Sequence, residues 1–339
     1  MQNPALVEVL RGGVVESRHS GAVAVVDADG RRALTIGDVE RPVYPRSAVK
    51  ALQALVLVES GAADRYGLTA QELALACSSH NGEPDHVATA ERMLARAGLD
   101  AAALGCGAHP PIHQPSALAL ARAGTAPSAL HNNCSGKHSG FLCVACALGA
   151  QTRSYLDPDQ PVQSEVRATI QNVSGATLSP ACRGIDGCSA PTWAMPLHKL
   201  AFAFARFGTG HGLAPVRAKA AARLRTACLA HPWHVAGTGR LCTDIMRLFG
   251  ARVFVKMGAE GVFCAAFPDQ GLGLAVKCDD GAGRAAEVIM AAMMARFVEM
   301  SGGERAALER FLRPTLHNWN GFAIGALRPT AALSAGSAA

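Results

Sequence analysis

The sequence contains few aromatic residues and few charged residues, which make up 5% and 17% of the chain. Its 32 Lys and Arg residues are scattered, so they form no basic stripe of the kind that a nucleic-acid-binding surface needs. The longest apolar runs, such as residues 141–150, are far shorter than the roughly 20 residues that cross a bilayer. These absences predict a globular protein that binds neither nucleic acid nor membrane, and 339 residues are enough for a large core.

The chain also begins without an obvious export signal, because residues 1–11 are a short and mixed stretch. We therefore expect a cytoplasmic protein whose eleven cysteines stay reduced. An odd number of cysteines argues against a disulfide framework. Most of them, including Cys77 and Cys264, have apolar neighbours and are predicted to be small buried side chains.

Signals for β-strands cluster at the two ends of the chain. Near the beginning, residues 21–26 and 31–37 flank Asp29-Gly30, a pair typical of a hairpin turn. After Gly250, turn residues separate three short apolar segments that are predicted strands, at 252–256, 262–267 and 272–277. Predicted helices occupy much of the remaining chain, including 47–60, 84–97 and 284–299.

This order of elements predicts an α/β (α+β) fold. The economical arrangement is one antiparallel sheet shared by the N- and C-terminal segments, with flanking helices and an inserted helical lobe. We expect a single domain over residues 1–328, followed by a flexible tail at 329–339. Its sheet lobe would comprise about 1–45 and 250–328, and its helical lobe about 46–249.

Residues 47–50 form an S-x-x-K pattern at the predicted start of a helix. Residues three apart share a helix face, so the Lys50 amine can reach the Ser47 hydroxyl. A lysine that is buried, or that lies beside a second cation, can lose its proton and act as a base. The helix N-terminus would add backbone N–H groups that stabilise a developing oxyanion. Short patterns also arise by chance, so this one does not identify an active site alone.

Two further patterns strengthen the interpretation. Residues 79–81 are an S-x-N, and residues 256–258 are a K-x-G at the end of a predicted strand. S-x-x-K, S-x-N and K-x-G, in that order, are the motif set of penicillin-recognising serine enzymes and their relatives. Two lysines in one pocket would lower each other's pKa. The set indicates two Ser/Lys pairs, namely Ser47 with Lys50 and Ser79 with Lys256.

Two blocks of polar and small residues, 131–140 and 184–191, each precede a predicted helix. Such a run is not typical of a core, so we expect functional loops there. Cys134, His138 and Cys188 are potential metal ligands, although zinc ligands usually come in closely spaced pairs. Lys137 could join them only as a neutral amine. From the residues alone, a zinc site and ordinary buried cysteines both remain open.

The remaining histidines give weaker signals. His109 and His113 flank two prolines and are predicted to be loop residues rather than ligands. His231 and His234, with Trp233 close by, predict a surface turn.

Taken together, these segments resemble the rhizobial-type, inducible L-asparaginase family. That family is similar in fold to serine β-lactamases and glutaminases. The similarity extends from about Arg11 to past Lys277, and the N-C-S-G-K-H and D-G-C blocks are its most specific parts. Ala51 stands where members often have proline, and it is harmless early in a helix. The matching segments are 46–50, 77–80, 133–138, 186–188 and 256–258.

The resemblance implies that the chain hydrolyses L-asparagine to L-aspartate and ammonia, as a homodimer without an organic cofactor. It implies a nucleophilic Ser47 paired with Lys50, and a second pair formed by Ser79 and Lys256. It implies a Zn2+ site at Cys134, Lys137 and Cys188. The residues expected around the substrate are Arg46, His80, Asn133, His138 and Asp186.

Two alternatives remain at this stage. One is a glutaminase, or another serine amidohydrolase or peptidase of the β-lactamase-like fold, because a pocket discriminates one methylene by only about 1–3 kcal/mol. The other is a non-enzymatic, zinc-stabilised binding protein in which Cys134 and Cys188 are structural.

Overall fold

The computed structural model describes residues 2–335. Its strands are β1 (Ala5–Arg11), β2 (Val14–Asp27), β3 (Arg32–Ile36), β4 (Pro42–Val43), β5 (Arg183–Ile185), β6 (Pro191–Trp193), β7 (Met195–Pro196), β8 (Phe254–Met257), β9 (Val262–Phe267), β10 (Leu272–Cys278), β11 (Thr315–His317) and β12 (Ala323–Pro329). Its α-helices are α1 (Lys50–Gln53), α2 (Leu55–Glu59), α3 (Ala62–Arg65), α4 (Ala70–Ala76), α5 (Pro84–Arg96), α6 (Gln114–Arg122), α7 (Ser135–Ala147), α8 (Pro161–Ser174), α9 (Leu197–Thr209), α10 (Pro215–Ala230), α11 (Pro232–Val235), α12 (Leu241–Phe249), α13 (Gly283–Phe297), α14 (Gly302–Leu312) and α15 (Ala332–Ala335). A 3-10 turn at Arg46–Val49 leads directly into α1.

The chain forms two compact units. The first consists of the described parts of Met1–Ala48, Met195–Thr209 and Arg252–Ala339, and the second of Val49–Ala194 and Gly210–Ala251. The division differs from the expected lobes at α9, which belongs with the sheet because it packs against β2, β9 and β10.

The expected flexible tail at 329–339 overlaps described structure. It starts at the last residue of β12 and includes α15, in which Leu333 is buried. Residues 336–339 of that tail lie outside the described residues.

The first unit is built on an antiparallel sheet with strand order β11-β12-β1-β2-β10-β9-β8, and β3 also pairs with β2. β2 pairs with β10 and β1 pairs with β12, so the two ends of the chain share one sheet. This arrangement confirms the predicted fold class. The sequence patterns identified β2, β3 and β8 to β10, but they missed β1, β11 and β12.

Helices cover the middle of this sheet on both faces. All six residues of β9 are buried, and successive residues of a strand point to opposite faces. α9 and α13 both pack against β9 and β10 and supply the two covers. Gly273 lets α9 approach closely, because a Cβ there would lie 2.1 Å from the Ala201 carbonyl oxygen.

The second unit is mainly helical, and α7 lies at its centre against α2, α3, α4, α5 and α8. The prediction of a loop over the whole block 131–140 is wrong, because α7 begins at Ser135 and its first residues are buried. The small residues of the block allow this packing. A Cβ on Gly136 would lie 2.3 Å from the Leu75 carbonyl oxygen of α4. Within residues 2–335, no helix combines the length and the apolarity that a membrane crossing requires.

Candidate active site

Ser47 lies in a strained turn of the first unit. The preceding residue, Arg46, has a φ of 50°, in the left-handed region that residues other than glycine rarely adopt. The Ala48 N–H donates to the Pro45 carbonyl oxygen at 3.1 Å and closes the turn. Ser47 itself is buried. Strain of this kind is stored at functional sites more often than elsewhere.

Lys256 belongs to the same unit and lies at the end of β8. Its side chain is 1% exposed, and its Nζ donates to the Met257 carbonyl oxygen at 3.0 Å. A Cβ on Gly258 would lie 2.7 Å from the Pro45 carbonyl oxygen and 3.1 Å from the Ala48 nitrogen. The glycine of the K-x-G motif therefore lets the end of β8 pack against the turn that carries Ser47.

Lys50 is the first residue of α1, in the second unit, and is also 1% exposed. Its Nζ donates to the Asn133 carbonyl oxygen at 3.2 Å. The Asn133 N–H in turn donates to His109 Nε2 at 3.0 Å. The lysine of the S-x-x-K motif therefore lies against the polar block 131–140, and His109, predicted to be an ordinary loop residue, supports that block.

Two cysteines and an aspartate form the candidate metal site. One ligand atom from each of Cys134, Asp186 and Cys188 lies within 4.8 Å of the others. Lys137 lies beside this cluster, and its Nζ donates to Cys188 Sγ at 2.9 Å. Two sulfur donors and one carboxylate fit Zn2+. The backbone next to Cys188 is strained, since Ser189 has a φ of 68°.

The two cysteines of this cluster differ in the direction in which their pKa values are shifted. A hydrogen bond from the Cys188 thiol lowers the pKa of Cys134 well below its usual value, and the Lys50 and Lys137 charges add to the effect. The same hydrogen bond, together with burial, raises the pKa of Cys188. Burial alone would lower the pKa of Lys137, but the neighbouring Cys134 and Cys188 raise it to about 12. Of the two thiols, Cys134 is therefore the one that loses its proton more readily, beside the Lys137 ammonium.

His138 is completely buried in α7, next to Lys137. The Tyr155 hydroxyl accepts from the Gly105 N–H at 2.8 Å and lies 2.6 Å from His138 Nδ1, so it donates its proton there. The His138 Nε2 then carries the ring proton, and it has no partner among residues 2–335. Burial lowers the pKa of His138 well below its usual value, so the ring is neutral. No sequence pattern marked Tyr155.

His80 does not reach the surface of the protein. The Gly82 N–H donates to its Nδ1 at 3.0 Å, so its Nε2–H donates to Ser135 Oγ at 2.9 Å. Burial lowers the pKa of His80 well below its usual value. The sequence predicted that His80 contacts the substrate, whereas the structure engages both ring nitrogens within the protein.

The structure thus brings several predicted site residues together in the second unit. The first unit contains Arg46, Ser47 and Lys256, and the second contains Ser79. The residues of the second unit that form one connected network are Lys50, Asn133, Cys134, Lys137, Asp186 and Cys188.

Solved structures with a similar chain path include a protein named Mglu and a β-lactamase from Mycobacterium bovis. Mglu is 14% identical over 84% of this chain and 69% of its own, with a TM-score of 0.36. The β-lactamase is 14% identical over 82% of this chain and 95% of its own, with a TM-score of 0.32. No curated protein matches the sequence significantly. The sequence model of L-asparaginase II matches residues 7–329. Because that match covers nearly the whole chain, the protein belongs to the L-asparaginase II family.

Proposed function

We propose that the protein hydrolyses L-asparagine to L-aspartate and ammonia through an acyl-enzyme formed on Ser47. Membership in the L-asparaginase II family makes the chain an amidohydrolase, which disfavours the zinc-stabilised binding protein. The turn at Arg46–Val49 supports the serine mechanism. It places strained backbone directly before a buried serine, and a buried lysine follows three residues later.

In the first step, Lys50 acts as the base in its neutral form, after it has lost its own proton to solvent. It takes the proton from Ser47 Oγ as that oxygen bonds to the carboxamide carbon and the carbonyl becomes an oxyanion. The Asn133 carbonyl oxygen holds the Lys50 amine in place. Backbone N–H groups, including that of Ser47, stabilise the oxyanion.

In the second step, the oxyanion collapses and the carbon–nitrogen bond breaks. Ammonia leaves with a proton delivered through the second pair, Ser79 and Lys256. Water then attacks the β-aspartyl ester, aspartate leaves, and Ser47 recovers its proton. This assignment of the second pair rests on the order of the motifs, because Ser79 and Lys256 lie in different units.

The substrate is a zwitterion, so its two charged groups need partners. Asp186 is the proposed partner of the α-ammonium group. Arg46 supplies a cation for the α-carboxylate, and His138 supplies a neutral N–H donor through its Nε2, which has no hydrogen-bond partner among residues 2–335. Asn133 acts through Lys50, and His80 acts through Ser135.

Cys134 and Cys188, with Asp186 or a deprotonated Lys137, would hold a zinc ion. When bound, that ion would supply a fixed positive charge that attracts and orients an anionic group. Asp186 has two carboxylate oxygens, so it has the capacity to serve as a metal ligand and as the partner of the substrate ammonium. Lys137 would have to give up its proton to become a ligand.

Ammonia release from L-asparagine by wild-type protein and by Ser47→Ala tests the proposal. We expect Ser47→Ala to lose at least about a thousandfold in kcat while its thermal unfolding is unchanged. Ser60→Ala, at the end of α2, is the matched control and should keep full activity. Mass spectrometry of an acid-quenched wild-type reaction should show a β-aspartyl adduct on the peptide that contains Ser47. Substantial turnover by purified Ser47→Ala protein would sink the mechanism.

The same assay with L-glutamine separates the two amidohydrolase alternatives. A one-methylene difference gives a preference of about 10–200-fold, so asparagine should exceed glutamine in kcat/KM by a factor in that range. A higher value for glutamine would assign the protein as a glutaminase. The proposal includes a homodimer, which sedimentation at assay concentrations tests.

A further inference from the structure

Three aromatic rings form a stack inside the second unit, and the proposed mechanism uses none of them directly. His86 in α5 lies between the other two. Its ring centroid is 3.9 Å from that of Trp233 at an interplanar angle of 5°, and 4.9 Å from that of His80 at 14°. We call His80, His86 and Trp233 the ring stack. Parallel rings this close form a stiff, well-packed element.

One end of the ring stack holds the beginning of α7. The His80 Nε2–H donates to Ser135 Oγ at 2.9 Å, and Ser135 is the first residue of that helix. Lys137 and His138 follow within the same turn. A shift of the His80 ring would therefore move the N-terminal turn of α7.

The Trp233 end of the ring stack also supports the loop that carries Ser79, which we define as residues 77–83 and which includes His80 itself. Trp233 lies in the short helix α11, and the last residue of α11, Val235, accepts the Ser79 N–H at 3.0 Å. The His86 Nε2–H donates to the Trp233 carbonyl oxygen at 3.0 Å, while its Nδ1 accepts from the Glu83 N–H at 3.2 Å. Both ring faces and both ring nitrogens of His86 are therefore engaged.

A buried carboxylate fastens the same loop to the segment after α11. The Thr238 N–H donates to Glu83 Oε1 at 2.8 Å, and the Thr238 hydroxyl donates to Glu83 Oε2 at 2.7 Å. That hydroxyl also accepts from Trp233 Nε1–H at 3.0 Å. Burial alone would raise the pKa of Glu83, but the hydrogen bonds from Thr238 lower it, so the carboxylate stays ionised.

The loop at residues 77–83 and the segment after α11 are closely packed. A Cβ on Gly237 would lie 2.6 Å from both Asn81 Nδ2 and Glu83 Oε1. Asn81 is itself held by its Nδ2, which donates to the Thr238 carbonyl oxygen at 3.0 Å, and by its Oδ1, which accepts from Arg240 Nη1 at 2.9 Å. The loop of Ser79 is thus fixed along its length by one segment more than 150 residues later in the chain.

We propose that the ring stack is a positioning device that aligns Ser79 with the N-terminal turn of α7, and that Trp233 is the residue on which this alignment depends. The proposal rests on the proposed function, since alignment matters only if these groups serve amide hydrolysis. The three rings are positioning residues that act through Ser79 and Ser135. Their loss should therefore reduce kcat much more than it changes KM, because small misplacements of reacting groups are costly.

Steady-state kinetics of Trp233→Leu and Trp233→Phe with L-asparagine test the proposal. Leucine fills much of the space without a stacking ring, whereas phenylalanine keeps a ring over His86. We expect Trp233→Leu to lose about tenfold to a hundredfold in kcat with KM changed less than about threefold. Trp233→Phe should recover kcat to within about threefold of wild type. Equal kcat losses in both variants, or a loss confined to KM, would overturn the proposal.

A second variant, Thr238→Val, tests the proposal even if Trp233→Leu does not fold. Thr238 is exposed, so Thr238→Val should fold normally while it removes the hydroxyl that joins Trp233 to Glu83. We expect a kcat loss of about threefold to tenfold with an unchanged KM. Leu224→Ala, in the core of α10, is the destabilising control. Leu224→Ala should lower the melting temperature and leave kcat at 25 °C unchanged. If Leu224→Ala instead lost as much kcat as Trp233→Leu, the effect of Trp233→Leu would be explained by lower stability alone, and the proposal would be wrong.

The two proposals fail in distinguishable ways. If Ser47→Ala retains turnover while Trp233→Leu loses it, the serine mechanism is wrong and the positioning role stands. If Ser47→Ala is inactive while Trp233→Leu and Thr238→Val both keep the wild-type kcat, the serine mechanism stands and the positioning role is wrong.

Discussion

The two units hold their candidate functional residues by different means. In the first unit, backbone geometry positions Ser47 and Lys256, through a strained turn and a glycine that lets β8 pack against it. In the second unit, buried side chains hold Lys50, Cys134 and Lys137 in a network of charges and hydrogen bonds. The first unit thus relies on backbone geometry around Ser47, whereas the second relies on buried charged and polar side chains around Lys50 and Cys134.

The largest loss of activity should come from removing a charged side chain of the second unit. Lys50→Met removes the proposed base but keeps a long apolar side chain, and we expect kcat/KM to fall at least about a thousandfold. Lys219→Met, an exposed position on α10, is the control and should be silent. The double variant with Ser47→Ala should be no worse than either single variant, because the members of one catalytic unit are not additive. If the loss of activity in the double variant equalled the product of the two single losses in ammonia-release assays, Lys50 and Ser47 would act independently and Lys50 would not be the base of Ser47.

The next effect tests backbone positioning. Gly258→Ala would place a methyl group 2.7 Å from the Pro45 carbonyl oxygen, so the Ser47 turn has to move. We expect kcat to fall by about tenfold to a hundredfold, because reacting groups tolerate little displacement. Gly283→Ala, at the start of α13 in the same unit, meets no atom within 4 Å and should keep wild-type kinetics. Wild-type activity in Gly258→Ala would show that close packing of β8 is irrelevant to catalysis.

The units also differ in how far the sequence predicted them. Alternation and turn residues located β2, β3 and β8 to β10, because a buried strand between glycines and aspartates carries a local signal. The strands that were missed, such as β12, carry weaker patterns and owe their place to pairing with β1. The pairing of two strands from opposite ends of a chain cannot be predicted from a short local segment of the sequence.

In the helical unit, the sequence identified residues that cluster in the structure, but it did not predict the burial of the block around them. Cys134 and Cys188 were chosen for their donors, and the structure adds the Asp186 carboxylate as a third. The polar and small residues of the block 131–140 led to the prediction of a loop. Its glycines allow close packing instead, and its polar side chains form hydrogen bonds within the protein, so much of the block is buried. Only His80 of the ring stack belonged to a sequence motif, and Trp233, predicted in a surface turn, is half-buried in α11 and stacks on His86. Contacts that depend on three distant segments follow from tertiary packing rather than from local pattern.

A smaller effect sharpens the role of the buried cluster. Cys188→Ser should weaken zinc binding at least about tenfold, since a hydroxyl replaces a thiolate ligand. Competition with a chromophoric chelator measures this directly, without reference to activity. Cys182→Ser, a cysteine outside the cluster, is the matched control and should bind zinc like wild type. Unchanged affinity in Cys188→Ser would exclude Cys188 as a ligand.

The smallest effect concerns stability, and it follows from the neutral histidines of the second unit. Burial lowers the pKa of His86 to about 4, whereas an unfolded histidine has a pKa of about 6.5. The unfolded chain therefore binds the proton first. The contribution of this group is fully present above about pH 6.5 and is lost as the pH falls toward 4, by about 2 kcal/mol between pH 7 and pH 5. His86→Gln should lower stability at pH 7 but flatten the pH dependence by that amount in urea unfolding curves. If the free energy of unfolding of His86→Gln fell with pH as steeply as that of wild type, the acid sensitivity would belong to other groups, and the ring stack would be only a packing element in this respect.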